Sequence, residues 1–351
     1  MILVAGEALI DMIPVPGQPN RYDARLGGAS FSVAIGLARL DRQVGFLGRI
    51  SADVFGRQLR DQLAAAGVDT SLVAAATEPT TLSVAALDAH GKPEYGFYAN
   101  GTADWQWTES SIPAVLPSSV RALYAGGLAL RFPPGAAVLE ELMWRVRQDG
   151  DVLIFFDPNV RGGSGFSADA ERGRVERQLG LAHVIKASED DITLLYPGRD
   201  YRDVAAEWQH KTAGTVVVTL GPHGAYALTA GGAELSVPAA PVTVVDTVGA
   251  GDAFSAALLD GLLPPTSPAV PDPAAALARI SADATRRILE RACVSAAYTC
   301  GQIGAQTADA PTLAALIQHA PASPRAGTVL SGVSGLRVLR VPYSSRTDFM
   351  R

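Results

Sequence analysis

The 351-residue chain predicts an α/β fold, a doubly wound and mostly parallel sheet flanked by helices, and three observations carry that expectation. Six short apolar runs, residues 2–5, 44–47, 123–127, 152–157, 184–187 and 215–220, have the length and content of strands buried on both faces. Helical stretches such as 136–148 lie between them, and strand alternating with helix is the pattern of a parallel sheet. The composition, 48% hydrophobic and 18% charged with 35 glycines, suits a large core joined by many tight turns.

In chain order, the run Ile2 to Ala5 reads as a first central strand, left through Glu7 and, four residues on, Asp11. Ligands of open α/β sheets sit beyond the carboxyl ends of strands, which makes Asp11 a candidate ligand; a solvated loop acid is the alternative. Gly27-Gly28 forms a turn into a helix, with Ser30 as a candidate cap. After the strand at 44–47, a helix runs from Gly56 to Ala66 and stops at Gly67. Residues 82–88 and 94–99 alternate as strands around His90-Gly91-Lys92-Pro93, a hairpin signal. Ala103-Asp104-Trp105-Gln106-Trp107 offers an acid and two aromatics, which suit a sugar pocket and suit core packing equally well. Asp157 and Ser188 end two of the buried strands, and Ser188 to Asp191 reads also as a helix-capping cluster. Beyond 215–220, residues 264–283 read as a loop insertion, 285–299 and 312–319 as helices, and 321–351 as a tail.

The stretch Asp246-Thr247-Val248-Gly249-Ala250-Gly251-Asp252-Ala253-Phe254 is the chemical centre of the chain. Val242, Val244 and Val245 lead into it as an extended segment, and 253–259 has the small apolar content of a buried helix. Gly249 and Gly251 let main-chain N–H groups converge at a helix N-terminus, where a phosphate can be held without any side chain. A carboxylate beside such a cradle makes sense if Asp252 takes a proton from an attacking hydroxyl. The same residues also fit a tight turn with Asp252 as a helix N-cap.

This stretch closely resembles the C-terminal signature of the ribokinase-like (PfkB) carbohydrate kinases, Asp-Thr-x-Gly-Ala-Gly-Asp-x-Phe. The resemblance implies that the Gly249, Ala250 and Gly251 amides form an anion hole and that Asp252 is the catalytic base. Gly-Glu-x-Leu-x-Asp at 6–11 is similar to the fructokinase branch, whose matching Asp binds the sugar. The family shows Gly-Gly-x-x-x-Asn-x-Ala where this chain has Gly27, Gly28 and Ser32, so Ser32 stands in for a sugar-binding Asn with one hydroxyl in place of an amide. Residues 48–56 resemble the N-terminal signature, with Ser51 for a usual glycine. Asp157-Pro158-Asn159-Val160-Arg161 resembles Asp-Pro-Asn-x-Arg, which implies that Arg161 contacts the sugar or the transferring phosphoryl group. Ser188 to Asp191 matches Asn/Ser-x-x-Glu if Asp191 takes the acid's place, ordering Mg²⁺-bound water. Thr219-Leu220-Gly221-Pro222-His223-Gly224 resembles the nucleotide-contact loop, making Thr219, Gly221 and Gly224 binding residues together with Ser188.

What the resemblance implies as a whole is a kinase domain over about residues 1–320, with a small β lid from about 11–26 and 82–107 closing over the sugar, where Asp104 would contribute. The reaction would transfer the γ-phosphoryl group of ATP to a sugar hydroxyl with Mg²⁺, and with K⁺ beside Asp246. Fructose leads; ribose, 2-keto-3-deoxygluconate and a nucleoside follow. Lids of this family often pair, which implies a homodimer. A catalytically silent sugar-binding regulator is the rival, suggested by Ser32, Ser51 and Asp191. A dinucleotide-dependent oxidoreductase is remote, because the first strand lacks Gly-x-Gly-x-x-Gly.

Composition excludes other classes. With a net charge of −6 and no Lys/Arg cluster, the chain does not suit nucleic acid. No apolar run approaches the ~20 residues of a membrane span. The start lacks a basic leader and acquires acids early, which reads as cytoplasmic. Cys293 and Cys300 lie on one helix face, as packing residues rather than a metal or redox pair.

Overall fold

The computed structural model describes residues 1–15, 17–18, 20–87, 93–162, 167–263 and 272–319. The chain begins with β1 (Ile2–Ala5), whose four residues are all buried, as expected of a strand covered on both faces. There follow β2 (Leu9–Pro14), β3 (Tyr22–Gly27), α1 (Ala29–Arg39), β4 (Val44–Ser51), α2 (Val54–Ala65), β5 (Val73–Ala76), β6 (Leu82–Leu87) and β7 (Pro93–Tyr98). The second half runs β8 (Ala122–Gly126), α3 (Gly135–Asp149), β9 (Leu153–Asp157), α4 (Ala168–Leu179), β10 (Val184–Ser188), α5 (Glu189–Leu195), α6 (Tyr201–Thr212), β11 (Thr215–Thr219), β12 (Ala225–Leu228) and β13 (Glu234–Val237). It ends with α7 (Ala250–Leu262), α8 (Pro273–Ala278), α9 (Ala282–Cys300) and α10 (Ala310–His319).

Among the described residues, nine strands form one sheet in the order β13-β12-β11-β10-β9-β8-β1-β4-β5. Every pairing from β5 to β11 is parallel; β12 and β13 add an antiparallel edge. From β1 the chain winds outward through β4 to β5, then returns to β8 on the other side and winds the opposite way. The reversal between β1 and β8 opens a crevice at the carboxyl ends of the strands, the place where such sheets bind ligands.

Side chains alternate along each strand into two cores. Ile2 and Val4 pack with α1, α2, α7 and α9 through Leu37, Leu59, Phe254 and Leu289. Leu3 and Ala5 pack on the opposite face with α3, α4, α5 and α6 through Met143, Val175, Ile192 and Trp208. Burying one such side chain contributes about 1.5–3 kcal/mol, so the two layers together stabilise the sheet that carries the strand ends.

A second sheet, β3-β2-β6-β7, is antiparallel except where β2 and β6 run parallel. It is built from the segments expected to form the lid, β3 coming from the stretch before Gly27; the turn residues 88–92 lie outside the described set.

Several local expectations change. Edge strands β5 and β13, and β12 next to the edge, carry no clear signal, being four residues each. Residues 242–245 form no strand and join neither sheet, and Val242, Val244 and Val245 are exposed. The expected insertion at 264–283 contains α8, because Asp272 caps it by accepting from the Ala275 amide and Pro273 occupies its first turn. Ser30 does not cap α1: its N-cap is Gly28, and the carboxylate of Glu7 accepts from the amides of Ala29 and Ser30 at 3.0 and 3.4 Å instead. Residues Met1–Gln318 form one compact unit. The expected boundary at 320 and the tail 321–351 lie outside the described residues.

Candidate active site

The crevice is floored by strand ends. Gly6 and Glu7 leave β1, Gly126 closes β8, Asp157 closes β9, and Ser188 and Thr219 face each other at the ends of β10 and β11. Helix α7 enters this floor by its N-terminus. Gly249 is the N-cap in a left-handed conformation, φ 78°, and a β-carbon there would meet Ala305 at 2.4 Å, so only glycine fits the turn. The Ala250 amide donates weakly to the Thr247 carbonyl at 3.3 Å, and Ala253 donates to Gly249. The amides of Gly249, Gly251 and Asp252 have no partner among the described residues. Free N–H groups at the start of a 13-residue helix make a site for an anion.

Asp252 stands in the first turn of α7, half-buried, and its carboxylate accepts no hydrogen bond from a described residue. It is therefore not the N-cap that the sequence also allowed. Burial raises its pKa to about 7; Lys186 and Arg161 oppose the rise while Asp157 and Glu7 reinforce it. A carboxylate poised there is half-ionised near neutrality, as suits a general base.

Asp11 sits on β2 opposite Arg25 of β3, with its carboxylate over Gly27. Its pKa is raised by burial, against a hydrogen bond from Ser83 and the charge of Arg161. Arg161, exposed at the end of its loop, thus acts electrostatically on both Asp11 and Asp252 and connects the lid side of the crevice to the α7 side. Gly28, φ 101°, approaches Glu7, and Ser32 lies on the first turns of α1. Ser32 lines a cleft of about 170 Å³ with Leu26, Ile35, Arg39, Gln62 and Thr307. Asp11, Gly27, Gly28, Arg161 and Asp252 are therefore linked about one crevice, whereas Ser32 lines the cleft between Leu26 and Thr307.

Two acids are turned inward instead. Asp104 is 1% exposed and accepts from the Ala8 amide at 2.9 Å and the Thr81 hydroxyl at 2.6 Å. Burial pushes its pKa up to about 7. Its carboxylate joins the strand β6 entry to the β1–β2 loop and is not presented to the crevice; the flanking Trp105 and Trp107 are core. Asp191 is 3% exposed and closes a capping box on α5, accepting from the Ser188 amide and hydroxyl at 2.7 Å and from the Val160 amide at 2.7 Å. Of the two readings of this cluster, the cap is the one the hydrogen bonds display.

Thr219 ends β11 and Gly221 and Gly224 lie in the turn after it, Gly221 exposed and Gly224 buried against the Val237 carbonyl. Asp246 ties two loops together, accepting from the Val248 amide at 3.0 Å and the Gly304 amide at 2.9 Å. Among the described residues no three acidic, histidine or cysteine side chains group tightly enough to hold a metal unaided. Cys293 and Cys300 are free thiols. No described helix is long and apolar enough to cross a membrane.

Sequence reasoning passed over Lys186 and Tyr124. The Lys186 ammonium donates to Asp157 at 2.9 Å with both side chains buried, and Ser255 of α7 donates to the same oxygen at 3.2 Å. Tyr124, wholly buried on β8, has a hydroxyl without a partner among the described residues. The signal for the lysine was available: a charge inside the strand Val184-Ile185-Lys186-Ala187 has to be paired.

The model of the pfkB family of carbohydrate kinases matches residues 1–313. A fructokinase of Rhizobium leguminosarum bv. trifolii is 35% identical over 265 residues, 75% of this chain and 79% of its own. The structure of a fructokinase from Xylella fastidiosa with bound ATP superposes with a TM-score of 0.80 at 29% identity, covering 90% of this chain and 98% of that one. Aminoimidazole riboside kinase from Salmonella enterica, complexed with aminoimidazole riboside and an ATP analogue, gives 0.75 at 26% identity, with 90% and 99% covered.

Proposed function

The chain belongs to the pfkB family of carbohydrate kinases and is an ATP-dependent sugar kinase of fructokinase type; from that premise we propose that fructose is its acceptor and Asp252 its catalytic base. The observation that carries the assignment of Asp252 is a carboxylate with a pKa of about 7, free of hydrogen bonds from described residues, beside the unpaired amides of a helix N-terminus.

Asp11 and the Gly27-Gly28 turn hold the sugar, with a primary hydroxyl directed at Asp252. Asp252 takes the hydroxyl proton as the oxygen forms its bond to the γ-phosphorus. The bond from that phosphorus to the β-phosphate oxygen breaks, and ADP leaves. Charge spreading over the phosphoryl oxygens is met by the Gly249, Ala250 and Gly251 main chain and by Arg161. Ser188, Thr219, Gly221 and Gly224 carry the nucleotide along the ends of β10 and β11.

ATP fits the cradle of free amides at α7. We assign the divalent ion that would accompany the nucleotide as Mg²⁺; among the described residues no acidic, histidine or cysteine cluster would hold it unaided, and when bound it would supply positive charge against the phosphates. Asp191 then acts on it at most through water, its oxygens being engaged by protein donors. Asp246, joining the anion loop to the loop at Gly304, is the candidate neighbour of a K⁺ ion. A second copy of the chain would pair through the lid, whose β3 strand exposes residues 22–25.

A riboside acceptor is the second reading, favoured by the aminoimidazole riboside kinase likeness and by the cleft beside Ser32. The deciding experiment measures ATP consumption with Mg²⁺, with and without K⁺, over fructose, ribose, 2-keto-3-deoxygluconate and nucleosides, alongside Asp252→Asn. Fructose-dependent turnover that collapses in the variant is expected. Faster turnover of a riboside than of fructose would transfer the assignment to that substrate.

A further inference from the structure

We propose that Lys186 is a positioning residue for phosphoryl transfer, its buried ammonium fixed beneath the anion loop as positive charge for the group being transferred. The inference rests on the reading of Asp252 as base and of residues 249–251 as anion hole.

The geometry is specific. Lys186 lies on β10, between β9 and β11, with its side chain 6% exposed. Its amine is held by one oxygen of Asp157, a side chain wholly out of solvent. Above it, a β-carbon added to Gly251 would stand 3.3 Å from the amine, so the ammonium lies directly under the loop that offers its free amides to an anion. An ammonium has three N–H donors, and Lys186 uses one of them among the described residues. If its purpose were only to neutralise Asp157, two donors would be left unmet inside the protein, a costly arrangement. An anion on the Gly249–Gly251 amides would give those donors a partner.

The groups facing Lys186 come from each element packed on it: Asp157 on β9, Asp191 on α5 and Asp252 on α7. Burial alone would lower its pKa, but these carboxylates outweigh it and the pKa is raised, so the lysine remains a cation. Asp252 in turn faces Lys186, Asp157, Arg161 and Glu7. Arg161 is exposed, whereas Lys186 is buried and held in its pair with Asp157. The fixed cation therefore both favours the ionised base and is already in place when the phosphoryl charge develops, with no reorganisation at that moment.

The test is Lys186→Met, assayed for the acid limb of the kcat–pH profile, kcat, and both KM values. We expect kcat to fall about 100-fold, as for loss of one preorganised donor, and the acid limb to move up by about one unit. Because methionine alone leaves Asp157 buried and unpaired, Lys186→Met/Asp157→Asn is the folding control, its fold checked by cooperative thermal unfolding. At pH 9 Asp252 is ionised in every variant, so a double variant that folds yet stays about 100-fold slow supports the proposal. Recovery of the double variant to within about threefold of wild type at pH 9 would reduce Lys186 to a partner of Asp157 and overturn it. So would a single variant with an unmoved acid limb and near-normal kcat. Failure of the underlying reading is seen separately, as an Asp252→Asn enzyme that keeps its rate.

Discussion

A β-carbon on Gly27 would stand 2.1 Å from Oδ2 of Asp11, so the absence of a side chain at one position sets where the carboxylate lies at the other. The register explains it, for Leu9 pairs with Gly27 and Asp11 with Arg25, and the side chain leans back over the glycine. A methyl group would push away only the free end of Asp11, so Gly27→Ala is expected to cost little stability. Displacing a charge-assisted hydrogen bond to the sugar costs about 1.5–3 kcal/mol, or about 10–100-fold in sugar KM, with the KM for ATP nearly unchanged. Steady-state kinetics in both substrates, with a melting curve as control, checks the split.

Asp252→Asn is expected to lower activity by at least about 100-fold, since an amide cannot take the hydroxyl proton. The same change is expected to stabilise the fold. Asp252 has a folded pKa of about 7, raised above its usual value of 3.8, so its proton favours the folded state. That contribution is complete below about pH 4 and is lost as the pH rises to about 7. Above pH 7 the variant, which keeps a neutral group there, melts higher. A shift of this size corresponds to an upper limit of about 4 kcal/mol, which solvent at this half-exposed group reduces to about 1–2 kcal/mol. Below pH 4 the two melting temperatures converge. The wild-type rate is expected to show an acid limb near pH 7, which a kcat–pH profile checks.

Asp104 separates a structural from a sugar-binding role. Asp104→Ala removes the acceptor of the Ala8 amide and the Thr81 hydroxyl, both buried, and is expected to cost about 2–3 kcal/mol in urea unfolding. Asp104→Asn keeps one acceptor and is expected to lose less. With the carboxylate turned from the crevice, sugar KM in the Asn variant stays within about threefold of wild type, less than the loss of a direct ligand would produce. A KM rise of two orders of magnitude at unchanged stability would return Asp104 to the substrate.

The parts of this protein written in local chemistry were legible beforehand. The strand at 2–5 is a continuous apolar run, and those at 153–157 and 184–188 are mostly apolar, because both of their faces are covered, and the turn at Gly249 needs a residue free of Cβ. What remained hidden depends on partners distant in sequence. Asp104 looks like any polar loop residue until Ala8, 96 positions away, is seen donating to it. Glu7 caps α1 from 22 positions upstream, which displaces the adjacent Ser30 from that role. Lys186 gains its meaning from Asp157 on the neighbouring strand and from Gly251 on a loop, contacts that no spacing along one element encodes.

We infer that Ser32 sets how much room the acceptor has. It lines a cleft of about 170 Å³ together with Ile35, Arg39, Gln62 and Thr307, and the buried hydroxyl of Thr307 has no partner among the described residues. The amide that the family carries at this position would reach further into the cleft than a hydroxymethyl group does, and would bring both a donor and an acceptor. Ser32→Asn is therefore expected to improve a small polyol and penalise a larger acceptor. One added hydrogen bond is worth about 0.5–1.5 kcal/mol, so fructose KM falls about 2–10-fold, while turnover of a riboside falls as its extra ring loses space. Measuring kcat/KM for both acceptors in both proteins checks this. If the ratio of fructose to riboside is unchanged, the cleft is not part of the acceptor site, and its volume has no bearing on which sugar this kinase takes.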